Sequence, residues 1–423
     1  MGRLSPEAAL AHLASRAPSS IKMGLERVQA ALERLDHPER RVPALHVAGT
    51  NGKGSTCAMA TACLATRYRT GLYTSPHLVR VNERFRIGDE DISDEALGRR
   101  VADVLEVLGE DHELTYFELG TLVAFHHFAE ERVELAVLET GLGGRLDATT
   151  ACAPRGTCVT PVSFDHTEYL GATLAAIAGE KAGILKEGVP VVSSGQAAEA
   201  LAVIERTAAA RHATLILEGR DFRARVTERG LEYEGTRWRL SGLAQPLAGA
   251  HQVQNAATAL ACLEQLAAVG FPLSEDDVAR GLRATRWPGR LERFDGTPPV
   301  VLDGAHNPAG VETLLAALDG VAQGRPVHLV FGVLADKDSE PMIRALFPRC
   351  ASVALTPLPS PRSKEPASYA ALAGALSATA SSHASPEAAL AAARERARPD
   401  GLVLVAGSLV LVGEIRRLLA GLR

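Results

Sequence analysis

Apolar residues recur at two different spacings along this chain. Ile21, Leu25, Val28 and Leu32 fall on one helical face, so residues 5–35 read as helices. Leu45 and Val47 read as a strand running into a turn with Gly49, Gly52 and Gly54. Ala58, Met59, Ala62 and Leu64 then mark a helix beginning near Ser55 and Thr56. Thr70 to Ser75 reads as a short strand ending in S-P-H (Ser75, Pro76, His77). Ser93 and Asp94 start an amphipathic helix over 93–108, and L-T-Y-F-E (Leu114 to Glu118) leads into a helix through Phe125 and Phe128. Leu135 to Leu138 is continuously apolar, as a strand buried on both faces should be, and delivers Glu139 at its carboxyl end. Strands at Thr157–Pro161 and Val189–Val192 flank a helix carrying Gly179 to Lys186.

Residues 214–240 lose the helical period and alternate, which predicts a β-hairpin. Helices resume at Gln254–Ala268 and Ser274–Ala284. T-R-W-P-G-R-L-E (Thr285 to Glu292) interrupts the pattern and reads as a boundary. Beyond it, strands near 299–303, 327–332, 351–355 and 402–406 alternate with helices. The fold class is therefore α/β: a mostly parallel sheet domain over 1–290 and a smaller α/β domain over 291–423. In such sheets ligands bind at the carboxyl edge, where Gly49, Ser75, Glu139 and Asp165–His166 should gather.

Composition narrows the class. A chain of 423 residues exceeds one comfortable core. With 45 basic and 50 acidic residues the net charge is −5, which offers no general field for nucleic acid. The 6 cysteines form no C-x-x-C pair, so reduced thiols in a cytoplasmic protein are expected, with Cys57 and Cys63 on a buried helix face. No apolar run approaches the ~20 residues of a spanning helix, so no membrane is expected.

H-V-A-G-T-N-G-K-G-S (His46 to Ser55) has the chemistry of a phosphate cradle. Glycines allow close backbone approach, a helix N-terminus aims amides at an oxyanion, and Lys53 adds full charge. The usual G-x-x-x-x-G-K-[ST] pattern would need glycine at Val47 and no Gly54 before the hydroxyl. A plain glycine-rich turn is the alternative. Lysine usage weighs against it, because Lys22, Lys53, Lys181, Lys186, Lys337 and Lys364 are the only lysines. Glu139 and His166 at strand ends, together with Ser75, are plausible Mg²⁺ ligands, whereas Lys181 is a cation and needs modification to join them. Arg145 could bind an acidic substrate or brace Asp147. Asp303-Gly-Ala-His306-Asn307-Pro308 could receive a ribose hydroxyl or be an Asp/Asn-Pro turn. Asp336-Lys337-Asp338 could be a solvated charge cluster.

Taken together, these stretches resemble the folylpolyglutamate synthase/dihydrofolate synthase family of the Mur ligase superfamily over nearly the whole chain. The resemblance rests on G-L-E-R-V (Gly24–Val28), A-G-T-N-G-K-G-S, Y-T-S-P-H-L (Tyr73–Leu78), L-T-Y-F-E, L-E-T-G-L-G-G-R-L-D-A-T (Leu138–Thr149), D-H-T, E-K-A-G-I (Glu180–Ile184), Q-N-A-A-T-A, P-G-R, D-G-A-H-N-P, D-K-D and A-G-S-L.

It implies a P-loop-containing, ATPase-like domain and a Rossmann-like carboxyl-terminal domain. It also implies an ATP-dependent, ADP-forming ligase that adds L-glutamate to dihydropteroate, to reduced folates, or to both through an acyl phosphate. Gly52, Lys53, Gly54 and Ser55 would hold phosphate, and Asn255, Arg290 and Asp303 would contact ATP. Ser75, Glu139, His166 and a carbamylated Lys181 would hold two Mg²⁺, and catalysis would fall to Lys53, Lys181, His166 and Glu139. Substrate candidates are Thr115, Tyr116, Phe117, Glu118, Arg145 and His306. A monomer is expected. Rival readings are a ligase acting on a UDP-sugar peptide, disfavoured by D-G-A-H-N-P and L-T-Y-F-E, and a P-loop switch, which leaves Glu139, His166 and Lys181 unexplained.

Overall fold

The run Pro43–Ala48 is buried past its first residue and forms β1, inside an eight-stranded sheet. The computed structural model describes residues 4–17, 22–110, 112–376 and 379–422, so Ile21 of the first expected helical face lies outside the described residues. The chain divides into one unit of Met1–Pro246 with Gln252–Arg286 and another of Leu247–His251 with Trp287–Arg423. This division falls after Arg286, within the T-R-W-P-G-R-L-E stretch.

In the first unit the strands after β1 are β2 (Thr70–Tyr73), β3 (Phe85–Ile87), β4 (Glu90–Asp91), β5 (Leu135–Glu139), β6 (Ala153–Val159), β7 (Val191–Ser193) and β8 (Leu215–Leu217). Their order is β4-β3-β2-β5-β1-β6-β7-β8. β2, β5, β1, β6, β7 and β8 pair in parallel, and β3 and β4 close one side antiparallel. β6 begins earlier than expected and β7 ends later, because pairing with β1 and β6, rather than apolarity alone, sets their ends. At the far side, Leu215 O accepts from Arg220 at 2.8 Å and Leu217 N donates to Asp221 at 2.8 Å.

The helices are α1 (Pro6–Ser15), α2 (Glu26–Arg34), α3 (Lys53–Leu64), α4 (Asp94–Leu108), α5 (Tyr116–Glu130), α6 (Thr167–Leu170), α7 (Leu174–Ala182), α8 (Ala198–Ala210), α9 (Ala250–Ala268) and α10 (Glu275–Ala284). Side-chain caps start several of them: Ser93 for α4, Thr115 for α5 and Thr173 for α7 each accept from an amide of the first turn. α3 starts at Lys53, earlier than the apolar pattern suggested, because Gly52 takes a left-handed φ of 88° and turns the chain at once. Gly281 on α10 lies against the Cys63 backbone of α3 with no room for a Cβ, and Cys57 and Cys63 are both buried, as expected. Leu135 and Val137 of β5 are fully buried, each contributing about 1.5–3 kcal/mol of transfer free energy.

The alternating stretch is more than a hairpin. Its first residues form β8 of the main sheet, and β9 (Arg223–Thr227), β10 (Gly230–Glu234) and β11 (Arg239–Leu243) make a separate antiparallel sheet. Glu264 of α9 is fully buried and accepts from Tyr233 Oη at 2.9 Å, Trp238 N at 2.7 Å and Arg237 N.

The second unit carries β12 (Glu292–Phe294), β13 (Val300–Leu302), β14 (Val327–Phe331), β15 (Ser352–Leu355), β16 (Ala380–Ser382) and β17 (Leu402–Ala406), ordered β12-β13-β17-β14-β15-β16. All pair in parallel except β12. β12 and β16 were not foreseen, since both are short and poor in apolar residues. α11 (Pro308–Ala322), α12 (Ser339–Leu346), α13 (Ala370–Leu376), α14 (Pro386–Arg396) and α15 (Leu409–Ala420) complete it around a core that includes Leu329, Phe331, Phe347 and Leu404. Within D-K-D, Lys337 is buried while Asp336 and Asp338 are exposed, and Asp336 pairs with Arg362 at 2.7 Å.

Candidate active site

The register of the first sheet decides what meets. β1 pairs with β5 so that Val47 lies beside Glu139, with β6 so that Ala48 lies beside Val159, and β5 pairs with β2 so that Leu138 lies beside Tyr73. The turns after β1, β2, β5 and β6 therefore share one edge. That edge collects Gly49–Gly52, Ser75, Glu139 and Asp165–His166.

The turn after β1 is anchored by backbone. Thr50 N and Asn51 N donate to Pro161 O at 2.9 and 3.3 Å, and Thr50 Oγ1 donates to Ser163 O at 3.0 Å. Gly49, at φ 147°, lies against Thr160 with no space for a Cβ, and Gly52 is equally close to Asn255. Asn255 is held by Gln252, its Nδ2 donating to Oε1 at 2.9 Å. Gly54 and Ser55 are buried in the first turn of α3, whose amides face the turn.

Two ammonium groups converge here. Lys53 Nζ donates to Gly49 O at 3.2 Å and Thr50 O at 3.3 Å and lies 3.9 Å from Glu139 Oε1. Lys181, in the last turn of α7, donates to the same Gly49 O at 2.8 Å. Burial, and then the Lys53 charge, lower the Lys181 pKa to about 7, against the pull of Asp165 and Asp147. Glu139 Oε2 accepts from Ser75 N at 3.3 Å. His166 takes a left-handed φ of 50°, its amide donates to Asp165 Oδ1 at 2.9 Å, and its ring Nε2 lies 3.9 Å from that oxygen.

Among the described residues no three His, Cys, Asp or Glu side chains cluster to hold a metal ion. The donors at this edge include the Glu139 and Asp165 carboxylates, the Ser75 hydroxyl and the His166 imidazole, beside a turn shaped for phosphate. That set suits Mg²⁺, which binds through one or two carboxylates plus substrate phosphates and water.

Arg145 corrects one expectation. Its guanidinium binds Glu180 Oε1 at 2.8 Å, not Asp147. Asp147 is buried and accepts instead from the amides of Gly141 at 2.9 Å, Leu142 at 2.8 Å and Thr149 at 3.0 Å. Burial raises its carboxyl above the ordinary value while these donors pull it back. Thr115 and Glu118 form a capping box at the start of α5, and Glu118 also receives Arg27 at 2.7 Å, so the bonds these two make are structural. Phe117 lies against Gly141, where a Cβ would come within 2.5 Å of its ring. Tyr116 stacks with Arg84, whose guanidinium carbon is 5.1 Å from the ring centroid, and Arg84 Nε donates to His77 Nδ1 at 2.8 Å. Arg84 thus links S-P-H to L-T-Y-F-E, which neither motif announces.

In the second unit Asp303 is buried and accepts from Leu291 N at 3.0 Å and Ala305 N at 2.9 Å. The Arg290 guanidinium carbon lies over Gly304, 3.2 Å from where a Cβ would sit. His306 Nδ1 donates to Gly304 O at 2.7 Å, and Asn307 caps α11 through Gly310 N at 2.7 Å. Sequence reasoning also passed over His46, Thr149 and Asp147 as a connected set. The Asp-x-Thr spacing after a strand end, a recurrent local capping pattern, was the available signal.

A family described as the Mur ligase middle domain matches residues 47–263, and one described as the Mur ligase glutamate ligase domain matches 289–409. The chain is 37% identical to the folylpolyglutamate synthase of Lacticaseibacillus casei over 93% of this chain and 94% of that protein. It is similar to E. coli FolC in complex with DHPP and ADP, with TM-score 0.90, 32% identity and 99% and 98% of the two chains covered. It is also similar to a bifunctional folylpolyglutamate synthase/dihydrofolate synthase with Mn, AMPPNP and L-glutamate bound. There the TM-score is 0.88 at 33% identity, covering 99% and 100%.

Proposed function

The chain belongs to the folylpolyglutamate synthase/dihydrofolate synthase family of Mur ligases, and from that premise we propose how its own residues perform ATP-dependent ligation of L-glutamate to a pteridine acid. The acid is dihydropteroate or a reduced folate, and the likeness of L-T-Y-F-E and of the helix containing G-L-E-R-V to bifunctional members supports action on both. A carboxylate is a poor electrophile, so the γ-phosphoryl of ATP is transferred to it, giving an acyl phosphate and ADP. The glutamate α-amine then attacks the acyl carbon, loses a proton, and phosphate leaves.

The single observation that carries this reading is the meeting of Lys53 and Lys181 on the Gly49 carbonyl at the N-terminus of α3. Lys53, held on an acceptor it shares with a second amine, suits a polyanion that has yet to arrive. Lys53 would move from the loop carbonyls to the phosphates, with the amides of Gly54 and Ser55 beside it. Asn255 next to Gly52, and Asp303 with Arg290, are the nucleotide-binding candidates. Arg145, Phe117, Tyr116 and His306 are the candidates for substrate.

Two Mg²⁺ ions would be held by Ser75, Glu139, His166 and a carbamylated Lys181. Bound there, they would offset phosphate charge during transfer. Carbamylation needs a neutral amine: Lys181 Nζ attacks CO₂, an N–C bond forms and one N–H proton is released. A pKa lowered to about 7 supports that step near neutrality. Six free cysteines support a reducing, cytoplasmic setting, and among the described residues no helix is long and apolar enough to cross a membrane.

The test is ADP release by purified protein given ATP, L-glutamate and either dihydropteroate or a tetrahydrofolate. Release should require both glutamate and a pteridine acid. Equal turnover with neither present would sink the ligase reading.

A further inference from the structure

Behind the phosphate turn, three buried side chains form a hydrogen-bonded chain that the reaction as described does not use. His46 lies on β1, and its Nε2 is 2.8 Å from Thr149 Oγ1. Thr149 Oγ1 donates to Asp147 Oδ1 at 2.5 Å. His46 and Thr149 are wholly buried, and Asp147 is buried as well.

The direction of this chain is fixed. Asp147, a carboxylate receiving three amides, can only accept, so the single hydroxyl proton of Thr149 goes to it. Thr149 must then accept from His46, which places the imidazole proton on Nε2. Burial, and then the charge of Lys186, hold the His46 pKa down to about 3, so the ring is neutral. Its Nδ1 is therefore bare, and it is buried without a hydrogen-bond partner. An apolar side chain would avoid that orphaned nitrogen. What only the imidazole supplies is the Nε2 donor.

The far end of the chain touches the loop between two proposed metal ligands. Residues 140–147 follow Glu139 directly, and Asp147 gathers the amides of Gly141 and Leu142. Gly144 in the same loop packs on α7, where an added Cβ would sit 2.8 Å from the carbonyl oxygens of both Glu180 and Lys181. Gly144 O accepts from Asp147 N at 3.0 Å and Thr150 Oγ1 at 2.5 Å. The loop is thus a spacer with Glu139 at one end and the Lys181 backbone against its middle. We infer that Thr149, oriented by His46, is a positioning residue: it aims the Asp147 carboxylate so that this loop sets the separation of Glu139 and Lys181. The inference rests on the ligase reading above.

Thr149→Val keeps the shape and removes the hydroxyl, whereas Thr149→Ser keeps it. The valine variant should lose about 10–100-fold in ADP-forming turnover, as when an outer partner of a ligating group is removed, with KM for ATP within about threefold of wild type. Mn²⁺ affinity of its AMPPNP complex, read by electron paramagnetic resonance, should weaken in parallel, and the serine variant should recover both. His46→Gln, which keeps an N–H donor, should likewise outperform His46→Leu, and this pair carries the test if Thr149→Val folds poorly. Wild-type turnover and Mn²⁺ affinity in the valine or leucine variant would overturn the inference. Equal impairment of the serine and glutamine variants would do the same. Because Mn²⁺ affinity is read without glutamate or pteridine, it still separates the variants if ADP release proves independent of glutamate.

Discussion

Glu264 and Lys181 are both buried charges in the first unit, and they are provided for very differently. Glu264 receives a phenol from β10 and two backbone amides from the turn between β10 and β11, which it anchors to α9. Lys181 has three protons to give, one carbonyl to give them to, and a second ammonium beside it. A buried charge fully met by its own chain belongs to the fold, since removing it leaves several donors without partners. A buried amine met by one shared acceptor is, on the proposed function, held in readiness for groups the chain does not supply.

The sharpest way to break this comparison is Lys53→Ala, which removes the other ammonium on Gly49. Turnover should fall on the order of 10²–10⁴-fold as a point charge on the phosphates is lost. The melting temperature should hold, and its collapse alongside activity would make Lys53 a structural residue. Lys181→Ala comes next, with turnover down by about 10²-fold, and acetate should partly restore it by returning oxygen donors to the vacated space. An unmodified Lys181 amine in an ATP–Mg²⁺ complex formed with bicarbonate present would remove the basis for that rescue.

Glu264→Ala should behave in the opposite manner. It should destabilise the first unit by about 3 kcal/mol, read by denaturant titration, while turnover per folded molecule stays near wild type. A stable Glu264 variant with poor turnover would dissolve the contrast. The smallest effect is a slope. The Lys181 pKa falls from 10.5 to about 7 on folding, so between those values the unfolded chain binds more protons. Burial of the ammonium therefore costs stability fully below pH 7 and progressively less as pH rises toward 10. Without CO₂, wild-type stability should gain on Lys181→Met between pH 7 and pH 9, and parallel curves would show that Lys181 titrates normally.

The elements that organise this edge were legible because their sequence signals are local. Val47 to Gly54 reads as strand, turn and helix without tertiary information, and L-T-Y-F-E reads as leading into a helix. The gathering of Ser75, Glu139 and Gly49 followed from strand alternation alone. What stayed hidden depends on register and side-chain reach. Arg145 and Asp147 are close in sequence, but the guanidinium turns to Glu180, which α7 presents from a distant segment. β12 and β16 escaped notice because they sit at the margins of their sheet and have little apolar character to show. The link of His46 to Thr149 required knowing that β1 and the segment after β5 lie side by side.

The reach of Arg220 and Asp221 back onto β8 bears on how this chain survives its own synthesis. A parallel sheet completed late leaves rows of amides and carbonyls open to any passing extended segment, which is how chains aggregate. On β8 the outward carbonyl of Leu215 and the outward amide of Leu217 are already occupied by those two side chains. At the opposite margin the sheet tapers to Glu90–Asp91, two exposed acidic residues. Neither margin offers an incoming strand a ladder to climb.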